Sequence, residues 1–387
     1  MRSMEERQAL RAAWAAWALL LLITAAIMAA DNTRSVLINA REAAHDWFAG
    51  RSLYNFSGIG GFVYLPQSAL LFVPFAFLPV ALSEALWRLV SIGTFALGLR
   101  AFASLAGGKE RRDLFPLMTL VSIPLVWDCA RNGQATLGMT GLMLLAVVDI
   151  ARSRWRRAAL WLTLGFAFKP IIAPLILLAA AIHRSLRWKL AAGMAVFLLA
   201  PFLMQRPSYV LEQYAGFMRN SAIAAHMGVA VQGWAHPFSA LRVAGLIVPE
   251  TVQTVIRLAA ALATLALCFQ ARRRLDPARS AVYLFSLAAA YILLFSPRTE
   301  NNTYMMLAPS IALFLASSLL VPATRRTGIL LAVLALAMVG GRVIQRIAAP
   351  QAEAVWLSPL LATVFTAYLL VRFAGERDRR TAGRDAP

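Results

Sequence analysis

The sequence predicts an all-α polytopic membrane protein with about 12 transmembrane helices. Three observations carry that reading. Of the 387 residues 60% are hydrophobic, only 14% are charged, and the apolar residues fall in long runs separated by short basic connections. Soluble domains carry about 25% charged residues, and a mean hydropathy of +0.66 is more apolar surface than a water-soluble chain of this length can hide.

The first run, 12–30, is about 19 residues long and crosses a hydrocarbon core of roughly 30 Å. A cleaved signal peptide would have a shorter apolar region and a small-x-small site leading into a soluble body. More spanning runs follow here, so 12–30 reads as a retained helix. The stretch 68–78 (SALLFVPFAFL) is apolar but only about 11 residues, too short to span. Were it to cross, the basic cluster at Lys109 would change sides, so it is expected to lie as a helix in the outer leaflet. Further spans are predicted at 82–104, 114–130, 135–151, 157–168, 170–182, 187–204, 254–271, 279–297, 303–321, 327–344 and 356–373. The pair 157–168 and 170–182 is short and joined by Lys169-Pro170, which predicts a shallow hairpin with Lys169 at its tip. The organisation is one transmembrane domain, 1–375, and a polar cytoplasmic tail, 376–387, with no internal repeat.

The net charge of +20 does not point to nucleic acid, because the basic residues are clustered between apolar runs. Lys109/Arg111/Arg112, Arg152/Arg154/Arg156/Arg157, Arg184/Arg187/Lys189, Arg272/Arg273/Arg274/Arg279 and Arg325/Arg326 fall in every second connection, and both chain ends are basic. Cytoplasmic loops collect Lys and Arg, which places both termini and these loops in the cytoplasm. The expected site is the plasma (inner) membrane of a bacterium. Two cysteines, Cys129 and Cys268, exclude a disulfide framework and a zinc-type cysteine set.

The two long connections, 31–81 and 205–253, both lie on the outer side of this topology, and no Gly-rich phosphate loop occurs on the cytoplasmic side. Chemistry is therefore expected to face outward. Four connections on that face carry groups that are costly near a bilayer. Asp31 follows the first span. Asp128, Arg131, Asn132 and Gln134 occupy one turn, Lys169 a second, and Ser296 to Asn302, including Arg298 and Glu300, a third. Ordinary interfacial snorkelling is the bland explanation for any one of them; their convergence on one face favours a site. A carboxylate amid Arg and Lys suits a base that deprotonates a hydroxyl while cations hold an anionic leaving group.

The order of several short motifs is more specific. The chain reads A-R-E-A-A…F-A-G-R-S-L-Y-N…F-V-Y-L-P…L-L-F-V-P-F-A-F-L-P…A-L-W between Ala40 and Trp87. N-G-Q (132–134), F-K-P (168–170), Q-G (232–233), P-F-S-A-L-R (237–242) and S-P-R-T-E-N-N-T-Y (296–304) follow. This succession resembles glycosyltransferase family 87 (the DUF2029 group), polytopic enzymes of the GT-C type that include polyprenol-phosphate-mannose-dependent mannosyltransferases, and the resemblance covers nearly the whole chain. It implies a metal-independent, cofactor-free, inverting transfer of a sugar, with mannose the first expectation, from a polyprenyl-phosphate donor to a glycolipid or glycan acceptor on the outer face. It also implies that Asp31, just after the first span, is the general base, and that Lys169, Arg298, Gln134, Arg131 and Asn132 hold the donor. Tyr64, Gln232, Glu300 and Asn302 are further candidates from the same motifs. The chain departs from the family in having Tyr64-Leu65-Pro66-Gln67 where Tyr-Pro-Pro is common. It also has a longer gap between Asp31 and Gly50, which leaves Asp46 and Glu42 as rival bases.

His45, His226 and His236 have no helical metal-pair spacing, and Asp31, Asp128 and Glu300 are set among cations that oppose a divalent ion, so no metal is expected. A transporter or lipid flippase is the alternative class. It would favour charges at the bilayer midplane and pseudo-symmetric halves, and neither is evident in the sequence. A non-catalytic membrane scaffold is the other.

Overall fold

Inside a bilayer every backbone polar group must be satisfied by the chain itself, which leaves an apolar run of this kind the helix as its structure. The structure, a computed structural model, describes residues 4–31, 33–55, 61–106, 113–227, 234–348 and 355–382. Among them every regular element is helical. The order begins α1 (Met4–Ala30), α2 (Leu37–Ala49), α3 (Ser68–Leu71), α4 (Val73–Ala76), α5 (Val80–Ala103) and α6 (Phe115–Arg131). It continues with α7 (Ala135–Ala151), α8 (Trp155–Phe168), α9 (Ala173–Ile182), α10 (Arg184–Leu199), α11 (Pro207–Met227) and α12 (Pro237–Val243). Last come α13 (Glu250–Arg274), α14 (Pro277–Phe295), α15 (Ala308–Leu319), α16 (Arg325–Val339), α17 (Gly341–Ala348) and α18 (Leu357–Ala382). Short 3₁₀ turns at Pro170–Ile172, Ala200–Leu203, Asn301–Leu307 and Pro322–Thr324 extend their neighbours.

Each of the twelve predicted spans coincides with helix, but length and apolar composition qualify eight of the described helices to cross a membrane. They are Met4–Ala30, Val80–Ala103, Arg184–Leu203, Glu250–Arg274, Pro277–Phe295, Asn301–Leu319, Pro322–Val339 and Leu357–Glu376. The other four predicted spans fall on α6, α7, α8 and α9, of 17, 17, 14 and 10 residues. Short helices are tolerated at membrane depth when protein rather than lipid surrounds them. Helix α7 meets that condition, with nearly all its residues buried against α5, α8 and α14. The helix expected at 68–78 is two short ones, α3 and α4, interrupted at Phe72. Pro74 cannot donate to the carbonyl a turn earlier, so α3 cannot run through it. The polar tail also begins inside a helix, since α18 continues past residue 376.

Packing of α5 against α7 is the tightest crossing. A Cβ added to Gly98 would lie 2.5 Å from the Gly141 carbonyl oxygen, and one on Gly141 2.5 Å from the Thr94 carbonyl. Small residues let helix backbones approach where no hydrophobic force drives association in lipid. The outer helices α10, α13 and α16 instead expose Val196, Leu199, Leu258, Leu262, Leu330 and Leu336, apolar faces that suit a bilayer. At one end of the bundle the basic connections are tied down by Arg100–Asp113 at 2.9 Å and Arg157–Asp149 at 3.0 Å.

At the opposite end the two long connections fold onto each other. Helix α2 buries Leu37, Ala40 and Ala44 against Phe72, Ala76 and Trp87, and its other face, Ala43 and Trp47, against Val210 of α11. The Gln213 side chain accepts from Leu53 N at 2.9 Å, and Gln205 Nε2 donates to the Trp47 carbonyl at 2.6 Å. Helix α2 stops at Gly50, which takes φ 67 and donates back to Asp46 and Trp47 carbonyls, the left-handed cap that glycine adopts without strain.

Candidate active site

Below these connections lies a cavity of about 280 Å³, near the lower end of the roughly 300–1,000 Å³ typical of small-molecule sites. Its wall is assembled from helix ends that the alternating chain direction brings to one side. Lys169 sits at the C-terminal end of α8 in an extended conformation, φ −160 and ψ 120, so that Pro170 can start the next turn. Lys169 lines the cavity, and its Nζ donates to Thr136 Oγ1 on α7 at 3.2 Å. Gln134 enters from the N-terminus of α7, while Arg298 and Glu300 come from the connection between α14 and α15. Tyr64, Phe62, Asn39 and Val36 come from the first long connection, Phe217 and Ser221 from α11, and Trp234 from the strip before α12.

Electrostatically the cavity favours an anion. Neither Lys169 nor Arg298 forms an ion pair among the described residues. The Arg298 guanidinium stands 5.5 Å over the Trp234 ring, a cation–π contact. Burial lowers the Arg298 pKa from its ordinary value, with Glu300 opposing the shift. Trp234 is 6% exposed, and its indole N–H has no hydrogen-bond partner among the described residues. A buried donor left unpaired costs about 1–3 kcal/mol, so a ligand oxygen is its natural partner. Burial, and then the charge of Glu300, raises the Tyr64 phenol above its ordinary value, which keeps it a protonated donor at neutral pH.

Of the expected residues, Lys169, Arg298, Gln134, Tyr64 and Glu300 share this cavity. The others lie elsewhere. Arg131 ends α6 and offers its carbonyl to Arg88 Nη2 at 2.6 Å. Asn132 follows, and its carbonyl accepts from Val36 N at 3.2 Å. The Asn302 carbonyl accepts from Cys129 Sγ at 3.2 Å. Asp46 pairs with Arg51 at 2.6 Å, Glu42 is exposed on α2, and Asp128 pairs with Arg342 at 3.1 Å. Asp31 is exposed beyond the end of α1, where Oδ1 accepts from Thr33 Oγ1 at 2.7 Å and Thr33 N at 3.0 Å. Those bonds hold its carboxyl below the ordinary value. Gln232 lies outside the described residues.

Sequence reading missed the support beneath the cavity. Glu84 and Arg88 form an ion pair one turn apart on α5, 1% and 0% exposed. Glu84 also accepts from Ser35 Oγ at 2.9 Å, and the neighbouring Trp87 donates Nε1 to the Gly133 carbonyl at 2.6 Å. Gly133 itself takes φ 62, and a Cβ there would stand 3.2 Å from Trp87 and 3.3 Å from Arg88. The turn Arg131–Gln134 is thus gripped from α5, which aims Gln134 into the cavity. The signal was available, because two ionisable residues at i and i+4 inside a predicted span are rare without a role. For Trp234 no local signal exists.

No curated protein and no solved structure matches this chain. A family model described as Glycosyltransferase family 87 matches residues 62–297, which includes Tyr64, Gln134, Lys169 and Trp234 and stops just short of Arg298. With a match over more than half its length and a helical body apolar enough to cross a membrane many times, the chain belongs to glycosyltransferase family 87 and is an integral membrane glycosyltransferase.

Proposed function

We propose that this enzyme moves a sugar, mannose in the first instance, from a polyprenyl phosphate to a lipid or glycan acceptor at the outer face of the membrane, with inversion at the anomeric carbon. The observation that carries the reading is the cavity wall with two cations, Lys169 and Arg298, that pair with no carboxylate among the described residues. Such a wall suits a phosphate whose charge grows as it leaves. A lipid-linked donor also fits a cavity at the end of a membrane bundle, whereas a nucleotide sugar would be scarce on the outer side. Arg298 offers the planar fork that binds two phosphate oxygens, and Lys169 a point charge. The Trp234 indole N–H and the Gln134 amide serve sugar hydroxyls. One displacement needs one base to take the acceptor's proton; the family resemblance points to Asp31 for that role, while the carboxylate lining the cavity is Glu300.

The test is sugar transfer by the purified full chain in detergent, from short-chain polyprenyl-phosphate mannose to a mixed glycolipid extract. Transfer is expected from the lipid-phosphate donor and not from GDP-mannose. Lys169→Met is expected to weaken donor binding by roughly 10- to 100-fold, the size of a hydrogen bond to a charged group. Transfer from the nucleotide sugar alone, or donor binding unchanged in Lys169→Met, overturns the reading.

A further inference from the structure

The lining of the cavity divides by origin. Its charged groups, Lys169, Arg298 and Glu300, come from the turn after α8 and the connection between α14 and α15. The lining contributed by the first long connection and by α11 carries no charge. Two cations of that connection are engaged elsewhere. Arg41 donates to the Ala76 and Leu78 carbonyls at 3.1 and 2.8 Å, and Arg51 pairs with Asp46.

Two polar side chains line the cavity from this neutral side. Asn39 stands in the first turn of α2, and Ser221 lies four residues beyond Phe217 on α11. That spacing sets Phe217 and Ser221 on one helix face. Among the described residues neither the Asn39 nor the Ser221 side chain makes a hydrogen bond. The wall around them is aromatic. Tyr64 meets Phe62 edge-on with 5.5 Å between ring centres, and the buried Tyr54 ring lies 6.3 Å from Phe217 and 6.0 Å from Phe62. The Tyr54 hydroxyl donates to the Tyr64 carbonyl at 2.7 Å, which fixes this strip against α11.

A sugar ring presents hydroxyls at its rim and an apolar C–H face. A free amide and a free hydroxyl beside aromatic rings complement both. An anionic head group would instead need a cation here, because a charge taken out of water without a partner is costly. Resting on the proposed transfer reaction, we infer that this neutral side is the acceptor subsite and that the acceptor's reacting end is an uncharged sugar, bound through Asn39 and Ser221 and stacked on Phe217. The lipid-phosphate donor takes the cationic side, and the new bond joins sugar to sugar. The first long connection also carries Asp31, five residues before Val36 of the lining, so the acceptor lies along the segment that holds the expected base.

The experiment supplies the purified full chain with labelled short-chain polyprenyl-phosphate mannose and the glycolipid extract, and reads two quantities. Linkage analysis of the product locates the label, which is expected on a sugar hydroxyl. Titration of the extract gives the apparent acceptor KM, with donor binding measured directly beside it. A neutral hydrogen bond is worth roughly two- to tenfold in affinity, so Asn39→Ala and Ser221→Ala are each expected to raise the acceptor KM by that factor. Phe217→Leu, which keeps apolar bulk without a flat face, is expected to do the same, and all three should hold donor affinity within about twofold. Label on a phosphate or on a non-sugar alcohol overturns the inference. So does an unchanged acceptor KM in all three variants, or weaker donor binding with the acceptor KM unmoved, which gives this side to the donor. In each of those cases the parent still transfers and the transfer reading stands. A parent that transfers from no lipid-phosphate sugar overturns the reading and the inference together.

Discussion

Removing the Arg88 guanidinium tests whether the grip of α5 on the Arg131–Gln134 turn is as strong as its geometry implies. Arg88→Met retains the apolar stem and deletes three interactions: the ion pair with Glu84, a bond to the Glu84 carbonyl at 3.2 Å, and the 2.6 Å bond to the Arg131 carbonyl. It leaves Glu84, 1% exposed, with only Ser35 Oγ at 2.9 Å among these partners. Breaking a buried pair from one side costs about 3–5 kcal/mol, because the other charge stays buried. That is roughly two to nearly four decades in the folding equilibrium at about 1.4 kcal/mol per decade. Removing both charges in Glu84→Met/Arg88→Met leaves no buried ion. The double variant should then recover most of the loss and retain a deficit of about 1–2 kcal/mol for the lost hydrogen bonds. Reversible unfolding in mixed micelles of mild detergent and dodecyl sulfate supplies the four free energies of the cycle. The expected coupling is at least about 2 kcal/mol, accompanied in Arg88→Met by weaker donor binding as Gln134 loses its aim. A single variant within 1 kcal/mol of the parent, or a double variant no better than the single, would refute the reasoning.

Three further outcomes follow from particular contacts. Gly141→Ala places a Cβ 2.5 Å from the Thr94 carbonyl and should cost about 1–3 kcal/mol through overpacking. Gly93→Ala, on the same pair of helices but with nothing within 4 Å, should be neutral or slightly stabilising; equal melting temperatures for the two would remove the close-approach argument. Trp234→Phe keeps an aromatic face under Arg298 while deleting the unpaired N–H and shrinking the buried ring. The donor KM is expected to rise roughly two- to tenfold, since a hydrogen bond to a neutral sugar hydroxyl is worth about 0.5–1.5 kcal/mol, and an unaltered KM in the transfer assay contradicts it. His236 caps α12 by accepting Ser239 N at Nδ1, 3.2 Å away. Burial, with Arg257 and Arg242 nearby, lowers its pKa from 6.5 to about 4. The unfolded chain binds the extra proton between those values, so this contribution is full above pH 6.5 and declines toward pH 4 by at most about 1.4 kcal/mol per unit. His236→Asn, which caps without titrating, should flatten that part of the stability–pH curve; a curve as steep as the parent's would rule His236 out as its source.

Membrane class was legible in the sequence because hydropathy is a sum over consecutive residues and needs no knowledge of neighbours in space. The helical positions of the spans followed for the same reason, and so did the residues that alternate at helix ends. Gln134, Lys169 and Arg298 each sit where one helix ends or the next begins, and antiparallel helices return such ends to one side of the bundle. Their shared cavity was thus foreseeable from order along the chain. The motif succession named the family for a similar reason, since it records those same ends in sequence.

What the tertiary structure alone decided concerns lateral neighbours. Topology says that Asp31, Glu42, Asp46 and Glu300 are near one face, yet Glu300 lines the cavity and Asp31 stands in solvent with Thr33. The connection that carries Glu300 is anchored by Ala235, which is distant in sequence and donates its N–H to the Thr299 carbonyl at 2.7 Å. The Glu84–Arg88 pair hides in an apolar run because its partners, Ser35 and the Arg131 carbonyl, come from two other segments. Trp234 carries no local mark at all; it becomes a site residue only when Arg298, 64 positions later in the chain, is laid across its ring. Helix α7, only 17 residues long, found its place the same way, since burial among other helices satisfies what lipid cannot. Apolar runs act through the solvent, which is the same for every residue in them, whereas polar groups act through specific partners at about 3 Å, and only the folded chain selects those.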